Sequence, residues 1–295
     1  WFNTNYHYIV PEVEDDTKIC LSNDKLWKEY EQAGALGIET KPVVIGAYTM
    51  LKLCRYTGVK NEKNFIEDMV AAYKALLDRC QKEAINWIQI EEPALVQDMT
   101  KEDIEVFHAV YDALLPCKKD VHILLQTYFG DVRDIYEDLL AMPFDGIGLD
   151  FLEGKETVAL IEKYGFAKDK ILFAGLVNGK NIWKNHYDKT LQVLEGLRQK
   201  EIQVVLSTSC SLLHVPYTLE NEEKLAKEYL DHFAFAKEKL TELQEIGKLA
   251  EVKNYQDEEA YRKNQKFFTR KRDCDHDEVK ERLSKVTKKD YVRVP

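Results

Sequence analysis

The sequence predicts an α/β fold built on a parallel β-sheet, and three observations favour it. Short apolar runs alternate with longer amphipathic segments along the chain. None of the runs shows a regular apolar–polar alternation, which is typical of strands that are buried on both faces. Polar side chains stand at the carboxyl ends of nearly all the runs. Strand–helix alternation of this kind produces parallel sheets with right-handed crossovers.

The predicted strands are short runs of Val, Ile, Leu and aromatic residues. They lie, in chain order, within residues 41–48, 87–95, 122–130, 146–151, 171–179 and 204–214. Helices are predicted between and after them. Thr100 begins one of these with Asp103 three residues later, a capping-box pattern. The predicted helices span residues 61–85, 100–115, 131–141, 154–164, 181–200 and 220–249.

Two kinds of α/β sheet are compatible with this order, a closed barrel and an open doubly wound sheet. Six strand–helix units are too few for a closed eight-stranded barrel. The barrel is nevertheless favoured, because barrel enzymes place polar side chains at the carboxyl ends of many strands. No GxGxxG or GxxxxGK[ST] loop is present to indicate a nucleotide-binding open sheet. The polar strand ends are Tyr48, Glu91, Glu92, Tyr128, Asp150, Asn178, Ser207 and Ser209.

We therefore predict an incomplete (βα)8 TIM-type barrel over residues 1–250, with strands 3 to 8 present and the first two missing. These two strands would precede Trp1. Residues 251–295 contain few apolar side chains and many charges. They are predicted to form a helical, charged inter-domain linker after the long helix.

Composition excludes several classes of partner. The 295-residue chain carries a net charge of −10, which disfavours binding to nucleic acid or to an anionic membrane. No apolar run approaches the ~18 residues that a membrane span needs. The six cysteines are scattered, without a CxxC pair. In a chain of this length they predict free thiols and a cytoplasmic location.

Paired carboxylates end the second predicted strand. Glu91 and Glu92 precede Pro93, which cannot continue a strand ladder. Because neighbouring side chains of a strand point to opposite faces, at most one of the two faces the barrel interior. Such a pair could act as acid and base, bind a metal, or neutralise a cation.

The last predicted strand ends in STSCSLLH, residues 207–214. Cys210 and His214 could form a nucleophile–base pair or supply two zinc ligands. No second Cys or His stands nearby at ligand spacing, so a buried, inert Cys210 is favoured.

The opening stretch WFNTNYHYIVPE combines amides and aromatics. In an extended segment Asn3 and Asn5 would share one face, as would Tyr6 and Tyr8, with His7 opposite the tyrosines. The asparagines could donate hydrogen bonds to a ligand or satisfy turns. Spacing leaves both interpretations open.

These motifs together resemble a known family. WFNTNYHYIVPE, WIQIEEPAL, LQTYFG, GLVNGKNIW and SCSLLHVP occur in the order and spacing of the N-terminal half of cobalamin-independent methionine synthase, a 5-methyltetrahydropteroyltriglutamate–homocysteine methyltransferase. The resemblance extends over essentially the whole chain. It implies an N-terminal domain fragment of a protein with two face-to-face barrels.

The resemblance implies a division of labour between the barrels. Zinc, homocysteine and catalysis belong to the C-terminal barrel, which is absent here. The N-terminal barrel lacks a metal, helps to hold the folate and braces its twin. The implied partners are 5-methyltetrahydrofolate polyglutamate and the C-terminal barrel of the same polypeptide, with no nucleic acid and no membrane. The piece alone is expected to be inactive.

Site residues follow from the resemblance position by position. Asn5 matches the asparagine that contacts folate, and Asn3, Tyr6, His7, Glu91 and Ser209 are further folate-binding candidates. No catalytic residue is expected. Asp150 and Cys210 stand near two of the four zinc-ligand positions of the second barrel, as possible relics, and we predict no metal. The alternative is a freestanding folate-binding or interaction module without chemistry.

Overall fold

The computed structural model describes residues 1–270 and 276–291. Its strands are β1 (Glu12–Val13), β2 (Val43–Ile45), β3 (Arg55–Tyr56), β4 (Trp87–Glu91), β5 (His122–Gln126), β6 (Gly146–Asp150), β7 (Ile171–Val177) and β8 (Val204–Thr208). Its α-helices are α1 (Lys25–Ala35), α2 (Ala47–Leu53), α3 (Ile66–Lys82), α4 (Lys101–Leu114), α5 (Tyr136–Ala141), α6 (Thr157–Tyr164), α7 (Tyr187–Gln199), α8 (Lys227–Leu230), α9 (Ala236–Glu251), α10 (Glu259–Thr269) and α11 (Asp277–Ser284).

A six-stranded sheet organises the molecule, with strands in the order β2-β4-β5-β6-β7-β8. Every neighbouring pair is parallel. Each predicted apolar run supplies one of these strands, so the α/β fold with a parallel sheet is confirmed. The short strands β1 and β3 form a separate parallel pair. The main core lies between the sheet and its helices, with Ile88, Ile90 and Ile123 fully buried.

The main sheet is strongly curled. The rings of Trp87 on β4 and Phe173 on β7 lie 6.1 Å apart, although two strands separate β4 from β7. Strands three positions apart in a flat sheet would be about 14 Å apart. Lys41, just before β2, also reaches Phe173, with its Nζ 4.9 Å from the ring centroid. The sheet therefore bends as the wall of a barrel does.

Within the described residues β2 pairs only with β4 and β8 only with β7, so these two strands border the sheet. The completion of a barrel by further strands stays a prediction.

One predicted strand end is wrong. Strand β2 stops at Ile45, and Tyr48 lies in helix α2, where it is buried against Phe107 at a ring distance of 5.9 Å. Tyr48 therefore belongs to the core and not to the polar edge of the sheet. The run 41–48 is apolar enough for a strand, but its last residues, from Ala47 onward, form the first turn of helix α2.

Each predicted helical segment contains an observed helix, with one correction, whereas α1 and α2 were not predicted. Helix α4 begins after Thr100, whose Oγ1 accepts from the backbone N–H of Asp103 while the Asp103 carboxylate accepts from the N–H of Thr100, as predicted. The single helix over 220–249 is wrong. Residues 231–235 leave the helical path because the N–H groups of Lys184 and Ala234 pair this segment with residues 182–184. Only α9 remains long.

Helix α10 packs against α7. Its Asn264 donates through Nδ2 to the carbonyl of Asn185 over 2.9 Å, and Tyr261 donates to Asp188 over 2.8 Å. Phe268 stacks on His186 with a centroid distance of 4.3 Å. This part of the predicted linker is thus attached to the sheet domain, and its role as a linker stays a prediction. No helix in residues 1–270 or 276–291 combines the length and apolar character needed to cross a bilayer.

Candidate functional site

The candidate site lies where the main-sheet strands end, under residues 1–8. Parallel strands place their following loops along one edge, so side chains from distant sequence positions meet there. Lys180, in the loop after β7, contacts Glu153, in the loop after β6, with Nζ 2.6 Å from Oε1. The same Nζ donates to Asn3 Oδ1 over 3.0 Å, and Asn3 Nδ2 donates to Glu153 Oε2 over 2.8 Å. This triangle, the Asn3–Glu153–Lys180 clamp, ties the opening segment to two strand ends.

Aromatic rings lie beside the clamp. Phe129 is buried after β5 and has a left-handed backbone, with φ of 74°. A non-glycine residue rarely adopts that conformation. It is held there by Asp150, whose Oδ2 accepts from the N–H of Phe129 over 3.0 Å. Lys180 Nζ lies 5.0 Å from the Phe129 ring centroid, in cation–π geometry.

His214 joins this aromatic group. Its ring lies 5.5 Å from Phe129 and 5.3 Å from Tyr6, between the strand ends and the opening segment. Burial lowers the pKa of His214, and the nearby charge of Lys180 lowers it further. The imidazole is therefore neutral near pH 7. Its Nδ1 is buried without a hydrogen-bond partner in the described part of the chain, so it is a polar atom that a ligand could satisfy.

The paired carboxylates have separate roles. Glu92 is fully buried and accepts from the N–H groups of Tyr48 and Thr49 over 2.9 and 2.7 Å, and from the hydroxyl of Tyr111. It thereby satisfies backbone donors in the first turn of α2, a structural task. Burial raises its pKa to about 7.

Glu91 points to the other side of β4, in accord with the predicted alternation. Its Oε2 accepts from the Tyr128 hydroxyl over 2.9 Å and its Oε1 from Gln89 Nε2 over 2.9 Å. Burial raises the pKa of Glu91, while these two hydrogen bonds and the charge of Lys41 oppose the shift. Glu91 is therefore the carboxylate available to the interior of the curled sheet.

Asp150 and Cys210 do not fit a zinc site. The oxygens of Asp150 already accept from the backbone N–H groups of Phe129, Leu152 and Glu153. Cys210 is buried against Tyr128 and Phe129, and burial raises the pKa of its thiol to about 12. A zinc ligand must be a thiolate. No group of three His, Cys, Asp or Glu side chains across residues 1–270 and 276–291 could hold a metal ion. The metal-free expectation stays a prediction.

The structure brings together some predicted site residues and leaves others apart. Asn3 is in the clamp, Tyr6 contacts His214, and Glu91 contacts Tyr128. Ser209 is buried, and its Oγ accepts from the N–H of Gly179 over 3.2 Å, so it shapes the loop that carries Lys180. Asn5 and His7 lie in the same segment with exposed side chains.

Sequence reasoning missed the clamp partners Lys180 and Glu153. Lys180 lies in GLVNGKNIW, a motif noticed only for its resemblance. Its position could have indicated its role, because a charged residue that directly follows a predicted strand is expected at the carboxyl edge of the sheet.

Comparison with solved structures defines the class first. The fold is similar to that of a B12-independent methionine synthase from Shewanella sp. W3-18-1 in complex with selenomethionine. The TM-score is 0.50 and the sequence identity 12%, over 65% of this chain and 60% of that chain. At this identity the likeness supports the α/β parallel-sheet fold alone.

Sequence comparison then gives the family. Residues 1–202 match the family model of the cobalamin-independent synthase N-terminal domain, and the chain belongs to that family. It is 49% identical to a 5-methyltetrahydropteroyltriglutamate–homocysteine methyltransferase of Lactococcus lactis subsp. lactis, over 100% of this chain and 38% of that protein. It is 50% identical to one from Campylobacter jejuni subsp. jejuni, over 100% and 39%. The chain thus spans less than half the length of these relatives.

Proposed function

We propose that this chain is the N-terminal, metal-free barrel of a methyltransferase that moves the methyl group of 5-methyltetrahydropteroyltri-L-glutamate to L-homocysteine, forming methionine. In this proposal the chain binds the folate substrate and supports a second barrel, which carries the catalytic groups and the zinc. Family membership and the names of the Lactococcus and Campylobacter relatives support the reaction.

The observation that carries the folate-binding role is the clamp. It fixes Asn3 over the strand ends, and Asn5 stands two residues further on with an exposed side chain. Because the clamp holds the backbone two residues away, the exposed amide of Asn5 can donate and accept hydrogen bonds at a smaller entropic cost of ordering the segment. Tyr6 and His214 add aromatic faces on which a planar heterocycle can stack. Asn5 is the principal proposed contact, with Asn3, Tyr6, His7, Glu91 and Ser209 around it.

Exposed apolar side chains support a partner on the same edge. Tyr6 is 48% exposed, Trp183 after β7 is 55% exposed, and Leu213 and Tyr217 after β8 are 78% and 73% exposed. Grouped exposed apolar residues mark surfaces that another protein covers. We infer that a second barrel covers this edge. In the proposal this barrel lies in the part of the relatives that the present chain does not match.

The curled, open-bordered sheet supports the barrel assignment. In the proposal two further strands fill the gap between β2 and β8, and the closed barrel then presents its strand ends to the second barrel.

Calorimetric titration of the chain with 5-methyltetrahydropteroyltriglutamate tests the folate role. We expect the wild-type chain to bind this folate and Asn5→Ala to bind it more weakly. No binding by the wild-type chain would overturn the folate role.

A methyl-transfer assay tests the division of labour. The chain alone should form no methionine, and a protein containing the full length of the Lactococcus relative should form it. If the chain is instead a freestanding module, it should bind folate, but methionine formation should not require it.

A further inference from the structure

A cavity of about 510 Å³ lies away from the clamp, among α7, α9, α10 and the segment that precedes α9. Its volume is in the range of small-molecule sites, which is roughly 300–1,000 Å³. Phe267 of α10 and Tyr187 of α7 supply aromatic walls, and Ala234 and Ala260 supply small apolar ones.

Four cationic side chains line this cavity: Lys184, Lys263, Lys266 and Arg270. The chain as a whole carries a net charge of −10. Elsewhere its lysines and arginines form many ion pairs, for example Lys180 with Glu153 and Lys118 with Asp145. In the described part of the chain none of the four cations forms an ion pair with a carboxylate, and the Arg270 guanidinium lies 2.7 Å from Nε2 of His232.

Two of these cations lie against the ring of Phe267. Lys184 Nζ lies 5.3 Å from its ring centroid and the Arg270 guanidinium carbon 4.4 Å from it. Burial lowers the pKa of Lys184, and the charges of Lys263 and Arg270 lower it further, against the opposing charges of Asp231 and Glu242. Like charges repel, so an anion placed between them would be attracted by several groups at once.

Carboxylates also line the cavity, but protein donors already occupy most of them. Glu238 accepts from the hydroxyl of Thr218 over 2.9 Å and from backbone N–H groups. Glu242 accepts from the N–H of Asn185 over 2.8 Å, and burial raises its pKa to about 7, which reduces its negative charge near neutral pH. Glu245 accepts from the Tyr187 hydroxyl. Asp231 and Glu242 remain as carboxylates that face the cations, because the charges of both act on Lys184 and the Oε2 atom of Glu242 has no hydrogen-bond partner among the described residues.

We propose that this cavity binds a small organic anion, one that carries a carboxylate or phosphate group on an apolar body. The cations hold the charged group and Phe267 contacts the body. An inorganic ion would fill only a small part of the volume, whereas an organic body would occupy the space along Tyr187, Ala234 and Ala260. This site is separate from the proposed folate site.

Calorimetric titration of the full chain at low ionic strength, with phenylacetate and with phenyl phosphate as probes, tests the proposal. Inorganic phosphate serves as the reference for a charge without an apolar body. The double variant K184Q/R270Q should weaken binding of the favoured probe about tenfold or more, because two charged contacts are lost. K248Q removes an exposed lysine of α9 outside the cavity and should change nothing.

A260W provides an independent variant that keeps every charge. Its indole takes up part of the apolar space that the organic body needs and should weaken binding, with circular dichroism checking that the chain stays folded. Stronger binding of phenylacetate selects a carboxylate ligand, and stronger binding of phenyl phosphate selects a phosphate ester. Inorganic phosphate binding as tightly as phenyl phosphate would overturn the organic part of the proposal. Equal weakening by K184Q/R270Q and K248Q, full binding by A260W, or no binding of any probe would overturn the site.

Discussion

Lys180 donates to the side-chain oxygen of Asn3 over 3.0 Å, although 177 positions separate the two residues in the chain. The same ammonium contacts Glu153. One cation thus joins the opening segment to the loops after β6 and β7. Folate binding and the order of residues 1–8 are therefore expected to depend on Lys180.

Lys180→Met should loosen the opening segment. The clamp is half-buried, so losing its ammonium should cost about 1 kcal/mol locally. Hydrogen exchange of the backbone amides of residues 2–8 should become roughly fivefold faster, since that free-energy change is close to a factor of five in opening. Lys189→Met, which removes an exposed lysine of α7, is the control. Unchanged exchange in Lys180→Met would show that the clamp does not order the segment.

Asn5→Ala should reduce folate affinity without reducing stability. Asn5 is exposed, so its removal leaves no buried group unsatisfied. Losing one or two ligand hydrogen bonds should raise the Kd about tenfold in calorimetry, with an unchanged Tm. Asn221→Ala, at another exposed position, should change neither quantity. A Kd for Asn5→Ala equal to that of the wild type would remove Asn5 from the site.

Neighbouring carboxylates should respond differently to truncation. Glu92→Ala leaves the N–H groups of Tyr48 and Thr49 without their buried acceptor. It should lower the free energy of unfolding by about 3 kcal/mol or more. Glu91→Ala removes a less buried carboxylate and should cost about 1 kcal/mol. Urea titration measures both, and similar losses would contradict the separation of their roles.

The stability contribution of Glu92 should also depend on pH. Its pKa is raised from 4.5 to about 7 by burial. Between these values the folded chain holds a proton that the unfolded chain releases, so the free energy of unfolding falls as pH rises. Glu92→Gln cannot titrate and should show a flatter profile from pH 4.5 to 7. Parallel profiles of the two proteins in urea titrations would show that Glu92 is already ionised throughout this window.

Cys210 should be unreactive in the folded chain. Burial raises the pKa of its thiol to about 12, so at pH 8 only about one molecule in 10⁴ carries the thiolate. Cys20 is exposed and should be alkylated by iodoacetamide first, as mass spectrometry of peptides would show. In 8 M urea both should react at similar rates. Alkylation of native Cys210 as fast as Cys20 would mean that the cluster with Tyr128 and Phe129 opens readily.

The sequence predicts the sheet well and the site only in part. Strands buried on both faces appear in the sequence as apolar runs, and the Thr100 cap depends on residues only three positions apart. Both features can therefore be predicted from a short stretch of sequence. The helix over 220–249 fails because residues 231–235 pair with a loop some 50 positions earlier, an interaction that local periodicity does not record. The structural role of Glu92 and the clamp role of Lys180 were not predicted for the same reason, since their partners are distant in sequence.

The borders of the sheet should control the solubility of this chain. Val43 on β2 and Val205 on β8 are 46% and 41% exposed, on the strands that have a neighbour on one side only in the described structure. Such edges pair with edges of other molecules, and a lysine on the edge opposes that addition. The double variant V43K/V205K should therefore remain free of light-scattering aggregates at several-fold higher concentration than the wild type. Val158→Lys changes an equally exposed valine, 43% exposed on α6, and tests whether replacing any exposed valine with lysine is sufficient. An equal gain from Val158→Lys would attribute the effect to the loss of exposed apolar surface, and the sheet borders would then lose their proposed role as the place where further strands add.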